Sequence, residues 1–443
     1  MIQRRTFYNY PLKESQVITN RKGEIMLKKA EDISQFWAYD STFSKNSDIT
    51  LLDNIQFIYE LSLAELELAA LGADFEVTNG LREFKITNQS EELSDRLVKR
   101  SSYFKTVRRT FTDYFYLIQK NRTRSVNQYL THWIYPYKGK FHPQMIRALL
   151  NIIGLKEGDT VFEPFSGSGT TALEAQLLGI NFIGIDISPL CVLQGKVKTK
   201  SIYAIDEIIR LKNELISKIK PSLFNQEQNF YKVLEHIENE NIRDFYALAR
   251  LLAVSDNSRR GRVFEQSFIK NLHLMIDSVK DYKEIAEKLH LKLGDVNLNV
   301  GDSRQIYLSD NSVDGIITSP PYSIALDYVG NDAHSLEDMG YKLDEVREQF
   351  IGVRGKGKER VELYNSDIMS SYREMYRVLK PGKYAVIVIG NATYQGQEVK
   401  TVEFTIDYMT ELGFELKKNI LKLIFGLYNV MKKENILIFK KVK

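Results

Sequence analysis

A chain of 443 residues, 43% of them hydrophobic, is long enough for two or three domains with real cores, which excludes a disordered tail or a small stapled scaffold. Lys and Arg total 61 against 57 Asp and Glu, a net charge of +4, so overall charge argues neither for nor against a nucleic-acid partner and only its distribution can. One cysteine, Cys191, excludes disulfides within the chain, and no His/Cys cluster has zinc spacing, so no metal is expected and a reducing, cytoplasmic setting fits.

The opening "MIQRRTFYNYPLKESQ" has no apolar run of signal-peptide length, and no later segment approaches the roughly 18 apolar residues of a spanning helix. A soluble protein without a membrane partner is expected. Residues 1–130 read as a first, mostly helical region. In it "NIQFIYELSLAELELAALGADF" places apolar residues at helical spacing and predicts an amphipathic helix ending near Gly72. From Arg96 to Arg147 cations dominate, Arg108, Arg109, Arg122 and Arg124 among them, with Tyr103, Phe104, Phe111, Tyr114, Phe115, Tyr116 and Tyr129 interleaved. That mixture suits a surface that tracks phosphates and stacks bases, and it equally suits a solvated basic face over an ordinary aromatic core.

The pattern changes near residue 131. "FHPQMIRALLNIIGL" predicts a helix, "TVFEPF" a short strand, "SGSGTT" a Gly-rich turn, "ALEAQLLG" a helix closed by Gly179, and "NFIGIDI" a second strand. This βαβ unit implies a parallel sheet with right-handed crossovers. Residues 201–290 interrupt it as a helical insertion with a basic loop, Arg259, Arg260 and Arg262 in "SDNSRRGRVF". The α/β pattern resumes over 291–443 with "VNLNVGDSR", "VDGIITSPPY", a helix ending "LKPGK", and the strand "YAVIVIGN". Two last strands, around "GFELKKNILKLI" and "ENILIFKK", read as an antiparallel edge. The expected fold is α/β, a Rossmann-like doubly wound mixed sheet assembled from 131–200 and 291–443.

Four strand ends carry residues with chemical potential. Gly167 and Gly169 in "FEPFSGSGTT" let the backbone turn tightly and approach a ligand, and the helix behind them offers N–H groups. Thr170 and Thr171 follow Gly169 directly, so the lysine of a triphosphate-binding loop is missing. Asp186, about twenty residues on, is placed to accept from a ribose diol, or to cap the next helix together with Ser188. Asp302 in "NVGDSRQI" comes to the same rim, where it can accept from the exocyclic amine of an adenine or act as a cap. The fourth is "IITSPPYS", which stops a strand on Ser319, Pro320, Pro321 and Tyr322. Prolines cannot donate to a ladder and keep the backbone extended and stiff, which by itself is no more than a strand-terminating turn.

In series, "FSGSGTT", "GIDIS", "GDSR" and "TSPPY" resemble the motifs of the S-adenosylmethionine-dependent amino-methyltransferases acting on DNA bases. The Ser-Pro-Pro-Tyr form is most similar to the N4-cytosine branch of bacterial and archaeal modification methylases, whereas N6-adenine enzymes more often carry Asp or Asn at the position of Ser319. "KGKFHPQMI" is similar to the segment that precedes the Gly turn in that family and closes over the methionine part of the cofactor. "ALDYVGNDAHSL" and "QFIGVRGKGK" are similar to the stretch after the catalytic motif. The resemblance covers about 135–196 and 295–443. The Gly turn precedes the catalytic motif, unlike the order in many Ser-Pro-Pro-Tyr enzymes, and this leaves the target-recognition element unassigned.

The resemblance implies a class I methyltransferase fold with S-adenosyl-L-methionine as cofactor. Its contacts fall on Phe141, His142, Pro143, Glu163, Phe165, Ser166, Gly167, Gly169, Thr170, Asp186, Ile187, Asp302 and Ser303. Catalysis falls on Ser319, Pro320, Pro321 and Tyr322: the Ser319 Oγ and the Pro320 carbonyl accept the amine N–H bonds, and Tyr322 stacks on a base flipped from the duplex. DNA phosphate contact is expected from Arg108, Arg109, Arg122, Arg124, Arg259, Arg260, Arg354 and Lys356. The expected activity is N4 methylation of cytosine in double-stranded DNA in a restriction-modification setting, with a cognate endonuclease as a further partner and a monomer or dimer as the working state. N6-adenine in DNA, guanine N2 in tRNA, and a non-catalytic nucleic-acid-binding protein are the alternatives.

Overall fold

The apolar runs predicted as strands become one sheet. Its seven strands, numbered along the chain within it, are β1 Thr160–Glu163, β2 Asn181–Asp186, β3 Val296–Val300, β4 Val313–Thr318, β5 Leu379–Ile389, β6 Phe414–Phe425 and β7 Met431–Lys441. They lie in the order β3-β2-β1-β4-β5-β7-β6. The first five pair in parallel, and β7 enters antiparallel between β5 and β6, so the expected antiparallel edge is present. Val161, Phe162, Ile316, Ile317 and Ile387 are buried because helices cover both faces, which is why these strands read as unbroken apolar runs. The chain steps outward from β1 to β3 and returns to place β4 on the other side of β1. The boundary between β1 and β4 is therefore a topological switch point, where sheets of this kind open a ligand crevice beyond the strands' carboxyl ends.

This computed structural model describes residues 48–442 except 124, 224–226, 322–326, 356, 395–396 and 426–430, together with the strand pair Ile18–Thr19 and Ile25–Met26. Contacts gather Ser47–Lys443 into one compact unit and set Met1–Asn46 apart. Among the described residues no helix is long and apolar enough to cross a membrane.

Residues 48–130 contain the expected helix, Ile58–Ala70, which ends where Gly72 takes φ +92°. Helices Glu91–Arg100 and Asp113–Gln119 follow. An antiparallel sheet of five strands, each two to four residues long, joins them, in the order Phe75–Thr78, Glu83–Ile86, Ile49–Leu51, Phe104–Val107, Thr110–Phe111. Strands this short give too few positions for alternation to show, so the sequence reading saw only helices. Here the two readings of the basic-aromatic stretch separate. Tyr103, Phe104, Tyr114 and Tyr129 are at most 2% exposed, and Phe111 stacks on Phe115 at 4.5 Å. The expectation of base-stacking platforms is corrected for these four rings: they are core, because burying a ring's area outweighs leaving it in water.

The insertion consists of helices Ile205–Leu223, Glu227–Glu235, Glu240–Arg260 and Phe264–Lys288. Arg259 and Arg260 sit in the last turn of the third helix, so the expected basic loop shrinks to Gly261 and Arg262. Gly261 at φ +61° stops the helix. The insertion also grips the segment that follows the Ser-Pro-Pro turn. Arg250 forks onto Asp338 at 2.9 and 2.7 Å, Tyr231 donates to the same carboxylate at 2.9 Å, and the guanidinium lies 5.0 Å from the Phe230 ring centre. Arg250→Ala leaves the buried Asp338 without a counter-charge and is expected to destabilise the fold by about 3–5 kcal/mol, read as a lower denaturant midpoint. Arg250→Lys should recover only part of this, because the two-point fork is lost.

Candidate active site

The site is built from the ends of β1, β2, β3 and β4. β1 ends on Glu163, and the chain then turns through Ser166–Gly169 into the helix Thr170–Leu177. Gly167 and Gly169 hold φ of +48° and +75°, which L side chains rarely adopt. A Cβ on Gly167 would meet the Tyr137 ring at 3.2 Å, and one on Gly169 would meet the Gly195 Cα at 2.6 Å. The turn is pinned from three sides. The Ser166 N–H donates to the Ile185 carbonyl at 3.0 Å, the Gly167 N–H donates to Asp186 Oδ2 at 2.8 Å, and the buried Lys198 Nζ donates to the Ser168 carbonyl at 2.7 Å.

Asp186, the last residue of β2, also accepts from the Ser188 N–H at 2.9 Å, while the Ser188 hydroxyl caps the helix Pro189–Lys200. The capping role thus falls to Ser188, and Asp186 faces the cavity. Burial raises the Asp186 carboxyl to about 6 against those two N–H bonds. Burial holds Glu163 well above the usual carboxylate range, and among the described residues its Oε2 has no hydrogen-bond partner. Both folded values lie above the unfolded ones. Each acid therefore costs stability once ionised, and for Asp186 that cost disappears as pH falls through about 6.

Asp302, two residues past β3, is held differently. Arg304 forks onto it at 2.6–3.0 Å, and the Arg304 backbone N–H adds a bond at 2.9 Å. Burial would raise Asp302, but these bonds bring it below its ordinary value. Arg304 continues to Asp367 at 3.1 Å, and Asp367 pairs with Arg354. Much of the acceptor capacity expected of Asp302 is thus already engaged by a neighbouring cation.

β4 ends at Thr318, and Ser319 and Pro321 stand on the rim opposite Glu163, Asp186 and Asp302. These groups share one cavity, also lined by Phe141, Phe165, Ser166, Gly167, Thr170, Ile187 and Ser303. His142, Pro143, Gly169 and Pro320 stand behind that lining. His142 is joined to Asn127 at 2.6 Å, and burial lowers it to about 4. Pro143 opens the helix Pro143–Ile152. Tyr322 lies outside the described residues. The cavity also takes Tyr137, Lys140, Gln349, Phe350, Val388, Lys422 and Glu434, which the sequence reading did not assign. Lys140 donates to the His132 carbonyl, and burial brings it down to about 7.

The arginines expected to meet DNA divide. Arg109 is exposed, and Arg108 donates to Gln89 at 2.8 Å. Arg122 is paired with Asp281 at 2.6 Å, Arg259 with Asp332 at 2.9 Å, and Arg260 with Asp256 at 2.9 Å. With Arg354 on Asp367, four of the expected phosphate ligands have internal carboxylate partners. Arg124 and Lys356 lie outside the described residues.

The donor set fits S-adenosylmethionine. Three carboxylates, Glu163, Asp186 and Asp302, face a cavity that would receive a ligand carrying a sulfonium and an ammonium, and the Oε2 of Glu163 and the buried hydroxyls of Ser166 and Thr170 in its wall have no hydrogen-bond partner among the described residues. A doubly wound sheet of this strand order, with a Gly turn after β1, an acid ending β2 and a Ser-Pro-Pro turn after β4, defines a class I S-adenosylmethionine-dependent methyltransferase.

Within that class, residues 7–196 match the sequence model of the family described as DNA methylase. The match reaches further toward the N-terminus than the motifs do and stops before Ser319. The chain is 25% identical over 407 residues to the type II methyltransferase M.BsoBI of Geobacillus stearothermophilus, covering 77% of each chain. It is 30% identical over 173 residues to the type II methyltransferase M.MjaII of Methanocaldococcus jannaschii, 39% of this chain and 30% of that one. It is also 32% identical over 115 residues to a tRNA (guanine(10)-N2)-dimethyltransferase of the same organism, 26% of this chain and 30% of that one.

Binding of a ligand with net charge +1, whose sulfonium and ammonium outweigh its one carboxylate, favours the ionised carboxyls, so S-adenosylmethionine binding is expected to release protons near pH 6 and to weaken as pH falls below it. Calorimetry in two buffers of different ionisation enthalpy checks this. Glu163→Gln should remove part of the release.

Proposed function

We propose that the protein transfers a methyl group from S-adenosylmethionine to the exocyclic N4 amine of a cytosine in DNA, as the modification half of a restriction-modification pair with a cognate endonuclease. The observation that carries the reading is the position of Ser319 and Pro321 at the switch point, lining one cavity with the three carboxylates across from them. When bound, S-adenosylmethionine supplies a methyl group activated by its sulfonium charge.

The amine lone pair of cytosine is delocalised into the ring and is a weak nucleophile until the nitrogen pyramidalises. The Ser319 Oγ and the Pro320 carbonyl accept its two N–H bonds and localise the lone pair. Because Pro320 and Pro321 fix the backbone, these acceptors stand in place before the reaction, and positioning with preorganised electrostatics accounts for the rate. As the N–C bond forms, the methyl's bond to sulfur would break with its electron pair left on the sulfur, and one amine proton is lost to solvent. The base must leave the duplex to reach this depth, and Tyr322 follows directly in the chain as its stacking partner. Arg108 and Arg109 are assigned to phosphate contact, and Arg109→Ala should lower the salt dependence of DNA binding.

The test is to incubate the purified protein with unmethylated bacterial DNA and cofactor, digest to nucleosides and analyse by mass spectrometry. N4-methyldeoxycytidine is expected. N6-methyladenine alone would overturn the cytosine assignment, and label entering only tRNA would overturn DNA as substrate.

A further inference from the structure

Past Ser319 the cavity runs over the ends of β5, β7 and β6, where Val388, Glu434 and Lys422 form its wall. Lys422 and Glu434 are register partners across the β6–β7 ladder, with Nζ and Oε2 2.8 Å apart and side chains only 10% and 18% exposed. A pair so deeply placed contributes little net stability, because desolvating two charges offsets most of their attraction. What it does provide is an ammonium held at a fixed point of the cavity, with donors beyond the one facing Glu434.

Pro320 and Pro321 have no N–H, so the turn after β4 can accept from a base but its prolines cannot donate to one. Cytosine with its amine against Ser319 and Pro320 still presents two acceptors along the same edge, N3 and O2. Of the two cavity cations, Lys140 donates to the His132 carbonyl beside Lys198, which binds the Gly turn in the cofactor half. Lys422 extends from β6, beyond Val388 of β5, and its charge also reaches His142.

We propose that Lys422, oriented by Glu434, donates to the N3/O2 acceptor edge of the target cytosine and so selects the base, an inference that rests on the cytosine reading above. Adenine in the same pose offers N1 but a C–H where cytosine has O2, and the buried ammonium then faces a carbon. A site built to hydrogen-bond a substrate group rejects an analogue lacking it far more strongly than an apolar pocket rejects a change of size.

The experiment compares wild type, Lys422→Met, and Lys422→Met with Glu434→Gln, the last removing both charges so that no acid is left buried alone. Cofactor affinity is read by calorimetry. Methyl transfer into unmethylated bacterial DNA is read with labelled S-adenosylmethionine and nucleoside digestion. Both variants should bind the cofactor as wild type does and lose transfer to cytosine by about 10- to 100-fold, the effect of removing one charged hydrogen bond. Transfer at the wild-type rate in the double variant would overturn the proposal, and so would a loss matched by equal loss of cofactor binding. If wild type makes N4-methyldeoxycytidine and the variants are unimpaired, only the assignment of Lys422 fails. If wild type makes N6-methyladenine, the cytosine reading fails and the assignment with it.

Discussion

Gly169→Ala is expected to abolish S-adenosylmethionine binding and to cost about 2–5 kcal/mol of stability, from the left-handed backbone forced on an alanine and from overpacking. The reason is what the new methyl meets. At φ +75° its Cβ falls 2.6 Å from the Gly195 Cα, which is backbone inside the helix Pro189–Lys200 and cannot escape by a rotamer change. Relief requires that helix to move off the turn. Its first residue is anchored through Ser188 to Asp186, and Asp186 holds the Gly167 N–H, so the displacement reaches both cofactor-facing elements together. Gly167→Ala offers a contrast, since the nearest atoms its Cβ would meet belong to the Tyr137 ring, at 3.2 Å, a side chain rather than backbone. That variant should melt nearer to wild type while still weakening binding, because it pushes on the cavity wall. Calorimetry and thermal melting of the two variants check the order, and cofactor binding by Gly169→Ala at wild-type affinity would refute the account.

The sheet and its four loaded strand ends were legible because their signals are local. β-branched runs stop on Gly, Asp or Pro within a few residues, and such punctuation survives without any knowledge of what packs against it. Lys422 and Glu434 were not legible for the opposite reason. Each sits in a strand that reads as an ordinary antiparallel edge, and only the β6–β7 register brings them to the cavity as a pair. The arginines show the same limit. Arg122 and Arg354 look like uncommitted cations in "KNRTR" and "GVRGK", and their partners Asp281 and Asp367 come from other helices. Interleaved aromatics carried a real choice between stacking surface and core, and burial decided it, since Tyr103 and Tyr129 sit in runs that are buried throughout, Ser101–Phe104 and Tyr129–His132. Charge and ring content alone thus did not separate surface from core.

Ser319→Ala is expected to lower the turnover number by about 10- to 100-fold, the effect of losing one hydrogen-bond acceptor to the reacting amine, while leaving cofactor affinity unchanged. The split follows from the topology. Ser319 extends from β4, whereas Glu163, Asp186 and Asp302 extend from β1, β2 and β3 on the other side of the switch point, so removing the hydroxyl leaves those three acids and their bonds intact. Ser319→Asp separates acceptor strength from size. A carboxylate accepts at least as well as a hydroxyl, so this variant should transfer faster than Ser319→Ala if the residue works by accepting from the amine. An Ala variant with wild-type turnover would mean that the Pro320 carbonyl suffices alone and that the stiff turn, rather than the hydroxyl ahead of it, is what the reaction needs.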